Sequence, residues 1–184
     1  MNMETFILLI ASYFIGSIPF GLILTKLFLK KDVRNVGSGN IGATNVLRTG
    51  SKFLALLTLI FDVGKGYLVT KYALIYYPEG IFLMGLICFL GHVFPIWLKF
   101  KGGKGVATYL GILFAINFYF GIIFIISWFV TFFISKFSSL SSLVGSASIP
   151  IYLLILSQFD QVIFFTIMFV LIFFTHRENI KRLI

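Results

Sequence analysis

Residues 105–135 read GVATYLGILFAINFYFGIIFIISWFVTFFIS, a run without one charged side chain. A membrane-spanning helix needs about 20 apolar residues, within a range of about 17–25. The run is long for one crossing and short for two. Lys104 and Lys136 bracket it. A turn near Asn117 would put both lysines on one face of a membrane, whereas a single crossing would put them on opposite faces.

The rest of the chain arbitrates. Hydrophobic residues make up 59% of the 184 positions and charged residues 11%, with a mean hydropathy of +1.05. A soluble domain carries about 25% charged residues, so this composition implies an integral membrane protein. Other apolar runs cover 5–28, 53–77, 80–98, 143–159 and 161–175. Cations favour the cytoplasmic side. With a turn near Asn117, all of the 15 lysines and arginines except Lys65 and Lys71 fall at cytoplasmic ends. Glu4, Glu79 and Asp160 then face the opposite side. The expectation is an all-α integral membrane protein of seven transmembrane helices, two of them short and both within 105–135. Its N-terminus would lie outside and its C-terminus in the cytoplasm, with one domain over 1–184.

The first residues, MNMETFILLI, lack a basic stretch and are not followed by a small-residue cleavage site. The first apolar run is therefore expected to remain as a membrane helix. Cys88 is the only cysteine, which excludes an internal disulfide and a cysteine-rich zinc site. It reads as a small packed hydrophobe. The net charge of +9 is assigned to orientation and anionic-lipid attraction, not to nucleic acid.

Polar residues collect in four segments on the inferred cytoplasmic side: 29–52, 99–104, 136–142 and 176–184. The first contains VGSGNIGATN (36–45), where Gly37, Gly39 and Gly42 satisfy G-x-G-x-x-G. A dinucleotide fold needs a strand before those glycines. Here an apolar helix precedes them, and Asp62, spaced like a ribose-binding acid, falls inside the next apolar run. A phosphate-binding loop fits better. Glycine backbone N–H groups can converge on an anion, Ser38, Asn40, Thr44 and Asn45 add neutral donors, and Arg48 adds a charged fork. The following IGATNVLR suits a helix whose N-terminus would face the ligand. A flexible glycine linker is the plainer reading. The second segment, FKGGKGVAT (100–108), sets Gly102 and Gly103 between Lys101 and Lys104. It reads as a second phosphate loop or as a basic interfacial anchor.

These residues resemble the bacterial acyl-phosphate-dependent glycerol-3-phosphate acyltransferases, the PlsY family. VGSGNIGATNVLRTGS (36–51) is similar to the family's first cytoplasmic motif and GHVFPIWLKFKGGKGVAT (91–108) to its second. SSLSS (138–142) and HRENIKRL (176–183) are similar to its third and last cytoplasmic elements. The resemblance implies transfer of a fatty acyl group from acyl phosphate to the 1-hydroxyl of glycerol 3-phosphate. The products would be lysophosphatidic acid and phosphate, made at the bacterial inner membrane with the site facing the cytoplasm. It implies that Gly37 to Asn40, with Thr44 and Asn45, hold the acyl phosphate head. Arg48, Lys104, Ser142 and His176 would hold the glycerol phosphate, with Gly102 and Gly103 in the second loop. Asn179 would bind a glycerol hydroxyl or brace His176.

No His-x-x-x-x-Asp base is present: Trp97 follows His92 at that spacing and Lys181 follows His176. Acyl phosphate is already activated, so positioning and charge neutralisation could suffice. Only Asp32 and Glu178 lie in the polar segments, so no metal site and no cofactor are expected. Partners are the two substrates and membrane lipid, with no obligatory protein partner. Asp62 and Lys65 stand at i, i+3 on one helix face. They read as a buried structural pair or as a brace beneath the site. His92 reads as a packed histidine or as support for the second loop. On chemistry alone Ser142 suits a helix N-cap. Trp97 and Trp128 could mark the membrane interfaces. A small transporter built on broken helices or a basic structural subunit are the competing classes.

Overall fold

Residues 3–181 are described in the computed structural model, and every regular element among them is helical. Arg182, counted above among the cytoplasmic cations, lies outside them. The helices are α1 (Met3–Ser17), α2 (Phe20–Leu29), α3 (Ala43–Leu47), α4 (Lys52–Tyr76), α5 (Ile81–Val93), α6 (Val106–Ile116), α7 (Phe118–Ser135), α8 (Ser138–Ile155), α9 (Phe159–Thr175) and α10 (Arg177–Ile180).

The uncharged run breaks at Asn117. Its side chain caps α7 by accepting the Tyr119 N–H at 2.9 Å, which stops α6 and restarts the chain one residue later. Only α6 is short, however; α7 has 18 residues. The run at 5–28 is not one helix as expected. It bends by 42° between α1 and α2, because Pro19 has no N–H to continue the ladder and its ring clashes with the preceding turn. α4, the segment Pro78–Leu98, α7 and α8 are each long and apolar enough to cross a membrane, and α1 with α2 adds a fifth as a broken span. α6 and α9 are apolar but shorter.

The chain forms two compact units, residues 1–115 and 116–184. In the first, α1 packs along α5, and α4 packs against α2, α3 and α5. Glycines permit these crossings. A Cβ at Gly16 would sit 2.0 Å from the Cys88 carbonyl oxygen, and one at Gly91 would sit 2.3 Å from that of Tyr13. Gly66 and Gly111 play the same part between α4 and α6. Small residues that let backbones approach are the usual glue in lipid, where dispersion and hydrogen bonds replace the hydrophobic drive between helices. In the second unit α8 packs between α7 and α9, and α10 folds against α8 and α9. Large apolar side chains such as Phe53, Leu68, Ile134 and Ile155 point outward, as a surface meeting hydrocarbon requires.

Lysines close several turns in the left-handed conformation. Lys30 (φ 55°) ends α2 and Lys136 (φ 61°) ends α7, while Lys99 (φ 53°) and Phe100 (φ 61°) turn the chain after a 3-10 turn at Ile96–Leu98.

Candidate active site

The first loop begins where α2 stops. Asp32 caps a 3-10 turn at Val33–Asn35, accepting the Arg34 N–H at 3.0 Å. The Arg34 guanidinium closes on the same carboxylate at 2.9 and 2.6 Å. That hydrogen bond holds the Asp32 carboxyl well below the usual carboxylate range and raises Arg34. The chain then reverses through Gly37 (φ 54°) and Gly39 (φ 71°), a region open to glycine at little cost.

Asn45 holds the reversal together. Its amide nitrogen donates to the carbonyls of Val33, Val36 and Asn40 at 2.8–2.9 Å. Its Oδ1 accepts from the Ser38 N–H at 3.0 Å and the Ser38 hydroxyl at 3.2 Å. Beneath it, Val33, Ile41 and Val46 are buried in a cluster with Leu22, Leu24, Leu54 and Ala55. Gly21 of α2 admits the loop: a Cβ there would fall 1.9 Å from the Ile41 carbonyl oxygen. Asn40 Oδ1 accepts the Gly42 N–H at 2.9 Å and shapes the approach to α3.

Three expectations change here. Asn45 is 3% exposed with its amide hydrogens engaged, so it shapes the loop and does not donate to a ligand. The Ser38 N–H goes to Asn45 and the Gly39 N–H to the Val36 carbonyl at 3.0 Å, which removes two of the expected anion-facing donors. α3 has only five residues, too few for a helix-terminus field. Thr44 and Arg48 do face outward. Arg48 passes across Gly37, where a Cβ would lie 2.6 Å from its Cδ and 2.8 Å from Nη1. Gly37 is thus required by backbone conformation and by this close passage.

The second loop is sewn to the end of α5. The Gly102 N–H donates to the Val93 carbonyl and the Gly103 N–H to that of His92, both at 3.0 Å. Those donors too are spent inside the protein. A Cβ at Gly102 would meet the His92 carbonyl oxygen at 2.2 Å, and one at Gly105 (φ 86°) would meet Phe89 at 2.2 Å. The approach is fixed from α1: Tyr13 donates to the Phe94 carbonyl and Trp97 to the Ser17 hydroxyl, each at 2.7 Å. Leu98, just ahead of the loop, packs on the cluster under the first loop. Lys101 is exposed and Lys104 half-buried. Asp62, Lys65 and His92 are buried together, with Lys65 Nζ 2.8 Å from Asp62 Oδ1.

In the second unit Ser142 is not an N-cap. SSLSS forms the start of α8, and Phe137 stands at the cap without a side-chain bond. The Ser142 hydroxyl donates to the Ser138 carbonyl at 2.9 Å and accepts the Trp128 indole N–H at 3.3 Å. His176 ends α9, 2% exposed, with Nδ1 2.8 Å from the Ile172 carbonyl. A carbonyl only accepts, so the proton of a neutral ring sits on Nδ1 and leaves Nε2 as the acceptor. Asn179 lies one turn on in α10, its N–H donating to the His176 carbonyl at 2.8 Å. Asp32 and Glu178 both stand beside cations, Glu178 at 3.6 Å from Lys181.

A family model for glycerol-3-phosphate acyltransferase matches residues 6–184. The chain belongs to the glycerol-3-phosphate acyltransferase family. The relative of that name from Pelagibacter ubique (strain HTCC1062) is 64% identical over 98% of this chain and 94% of its own length. One from Brucella anthropi is 49% identical over 96% and 88%. Among solved structures, PlsY (YgiH), an integral membrane glycerol 3-phosphate acyltransferase, superposes with a TM-score of 0.92. That match, to its glycerol 3-phosphate form, has 35% identity over 98% of this chain and 92% of that one. The protein is therefore an integral membrane member of an acyltransferase family of lipid biosynthesis.

The family motifs located the loops but not their fastenings. Trp97 and Trp128, read as interface markers, donate their indole N–H groups to serine hydroxyls. Trp97 is exposed and Trp128 half-buried; a half-buried indole is usually partnered, but nothing in the sequence pairs Trp128 with Ser142 across the intervening turn.

Proposed function

We propose that this protein transfers a fatty acyl group from an acyl phosphate to the 1-hydroxyl of glycerol 3-phosphate, yielding lysophosphatidic acid and inorganic phosphate. Family membership across nearly the whole chain carries the reading. The two cation-bearing loops of the first unit support the acyl phosphate donor, since both substrates then present a phosphate.

In this reading the outward Thr44, with the backbone of Gly37 and Asn40 at the two ends of the glycine turn, receives the acyl phosphate head. Arg48 and Lys104 neutralise phosphate charge. Ser142, His176 and Asn179 serve glycerol 3-phosphate through a hydroxyl, an imidazole and an amide. The 1-hydroxyl oxygen attacks the acyl carbonyl carbon and an ester bond forms. The bond from that carbon to the phosphate oxygen breaks, and the departing phosphate takes the hydroxyl proton. Oriented, charge-stabilised reactants supply most of the acceleration. No acyl-enzyme, cofactor or divalent metal takes part, and no protein partner is required.

We further propose seven crossings of a bacterial inner membrane by the whole 1–184 domain, N-terminus outside and loops in the cytoplasm. The seven apolar segments, with α1 and α2 as one span, support it. Purified protein should release phosphate from acyl phosphate only when glycerol 3-phosphate is added, and should do so in chelator. Absence of release by well-folded protein would remove the reading, and loss in chelator reversed by magnesium would remove its metal-free form.

A further inference from the structure

Three polar side chains meet beneath the second loop. Asp62, Lys65 and His92 are 2%, 4% and 3% exposed. Lys65 Nζ lies 2.8 Å from Asp62 Oδ1 and donates to the Ile18 carbonyl at 3.0 Å, which ties the pair to the bend between α1 and α2. His92 turns Nδ1 to the same Asp62 oxygen at 3.5 Å and makes no hydrogen bond through that nitrogen among the described residues. Its far edge abuts the loop: a Cβ on Gly103 would fall 2.0 Å from Nε2 and 2.7 Å from Cε1. The ring thus fills the space between a buried carboxylate and the glycine that precedes Lys104.

Stability explains this array poorly. Taking charges out of water offsets most of what their attraction returns, and apolar replacements often do as well. Ionisable groups inside a membrane segment more often mark a site. Lys104 follows Gly103 directly, so the level at which the ring holds Gly103 sets where that cation stands.

We propose that Asp62, Lys65 and His92 form a buried strut that sets the position of Gly103 and Lys104, making His92 a positioning residue for the phosphate-handling loop. This rests on the functional reading above. The steric edge of the ring does the positioning, and the Asp62–Lys65 pair orients the ring. Gly103 is then glycine because a ring stands behind it.

The test uses two isosteres of opposite reach. Asn at position 92 keeps a polar group near the Nδ1 site and loses the edge against Gly103, whereas Gln extends to the Nε2 site. His92→Asn should raise the KM for glycerol 3-phosphate or acyl phosphate about tenfold, because a misplacement of about 1 Å can cost as much as about 100-fold. His92→Gln should stay near the wild type. Hydrogen exchange of residues 101–105 should quicken in His92→Asn while residues 36–45 hold their rate. Unchanged exchange and unchanged KM in folded His92→Asn would overturn the strut. Should that variant not fold, Gly103→Ala reads the same contact by driving a methyl into the ring: faster exchange at 101–105 supports the strut, and no change overturns it. The exchange readout needs no turnover. A wild type that transfers nothing while exchange responds removes the functional reading and keeps the strut; normal transfer with no response does the reverse.

Discussion

Two loops of similar sequence character are fixed by different physics. The first hangs on a neutral side chain: one buried asparagine amide meets three carbonyls and one Ser38 N–H, over an aliphatic cluster. The second is stitched by backbone bonds to α5 and rests on buried charge. A neutral fastening depends on matched donors and acceptors, so it is sensitive to chemistry at constant shape. A charged one depends on both partners remaining, so it fails when either is removed.

The largest expected effect follows from the second loop. Asp62→Ala leaves Lys65 charged and unpaired in an apolar interior, at a cost of about 3–5 kcal/mol. Little folded protein should be recovered from detergent, and a normal melting temperature would show that the charge is not what supports this loop. Next comes Asn45→Asp, nearly isosteric, which replaces donors with an acceptor facing three carbonyls. It should cost about 2–3 kcal/mol, with faster exchange in residues 33–45 and normal exchange in 101–105. Equal disturbance of both loops would show that they share one fastening.

Smaller is Gly21→Ala, whose methyl meets the Ile41 backbone carbonyl. Overpacking against backbone costs about 1–2 kcal/mol, read as a lowered melting temperature with the first loop displaced. Smallest is the pH response of Asp32. Its carboxyl is depressed in the folded state, chiefly by the Arg34 hydrogen bond. The stability it contributes is therefore complete above the unfolded carboxylate range and is lost as pH falls below about 4. The melting-temperature difference between wild type and Asp32→Asn should be flat from neutral pH to about 5 and narrow in stronger acid. A difference that already narrows near neutrality would contradict the assigned cause.

Much of the architecture was legible because hydropathy and charge act over whole segments. The break at Asn117 followed from length together with the cations that bracket the run, and the shared face of Asp62 and Lys65 from helical spacing. The bend at Pro19 was hidden inside an uninterrupted apolar run. The third member of the buried array, His92, could be joined to the other two only by the packing of α5 on α4. The glycines were the most misleading. Their pattern located both loops correctly, yet the Ser38, Gly39, Gly102 and Gly103 N–H groups bond within the protein. Gly37, Gly102 and Gly103 are small because Arg48, Pro95 and His92 press against them. A sequence shows where a side chain is missing, not what occupies its place.

The left-handed lysines carry a practical consequence. Lys30, Lys99 and Lys136 each end a helical turn with positive φ, and each is also a charge used to infer which face of the membrane the turn occupies. An experiment that neutralises such a lysine to probe insertion also edits a chain terminator. Glycine there would relieve backbone strain of about 1 kcal/mol while erasing the topogenic charge; glutamine would erase the charge and keep the strain. Comparing the two separates the address from the punctuation, which one residue writes at once.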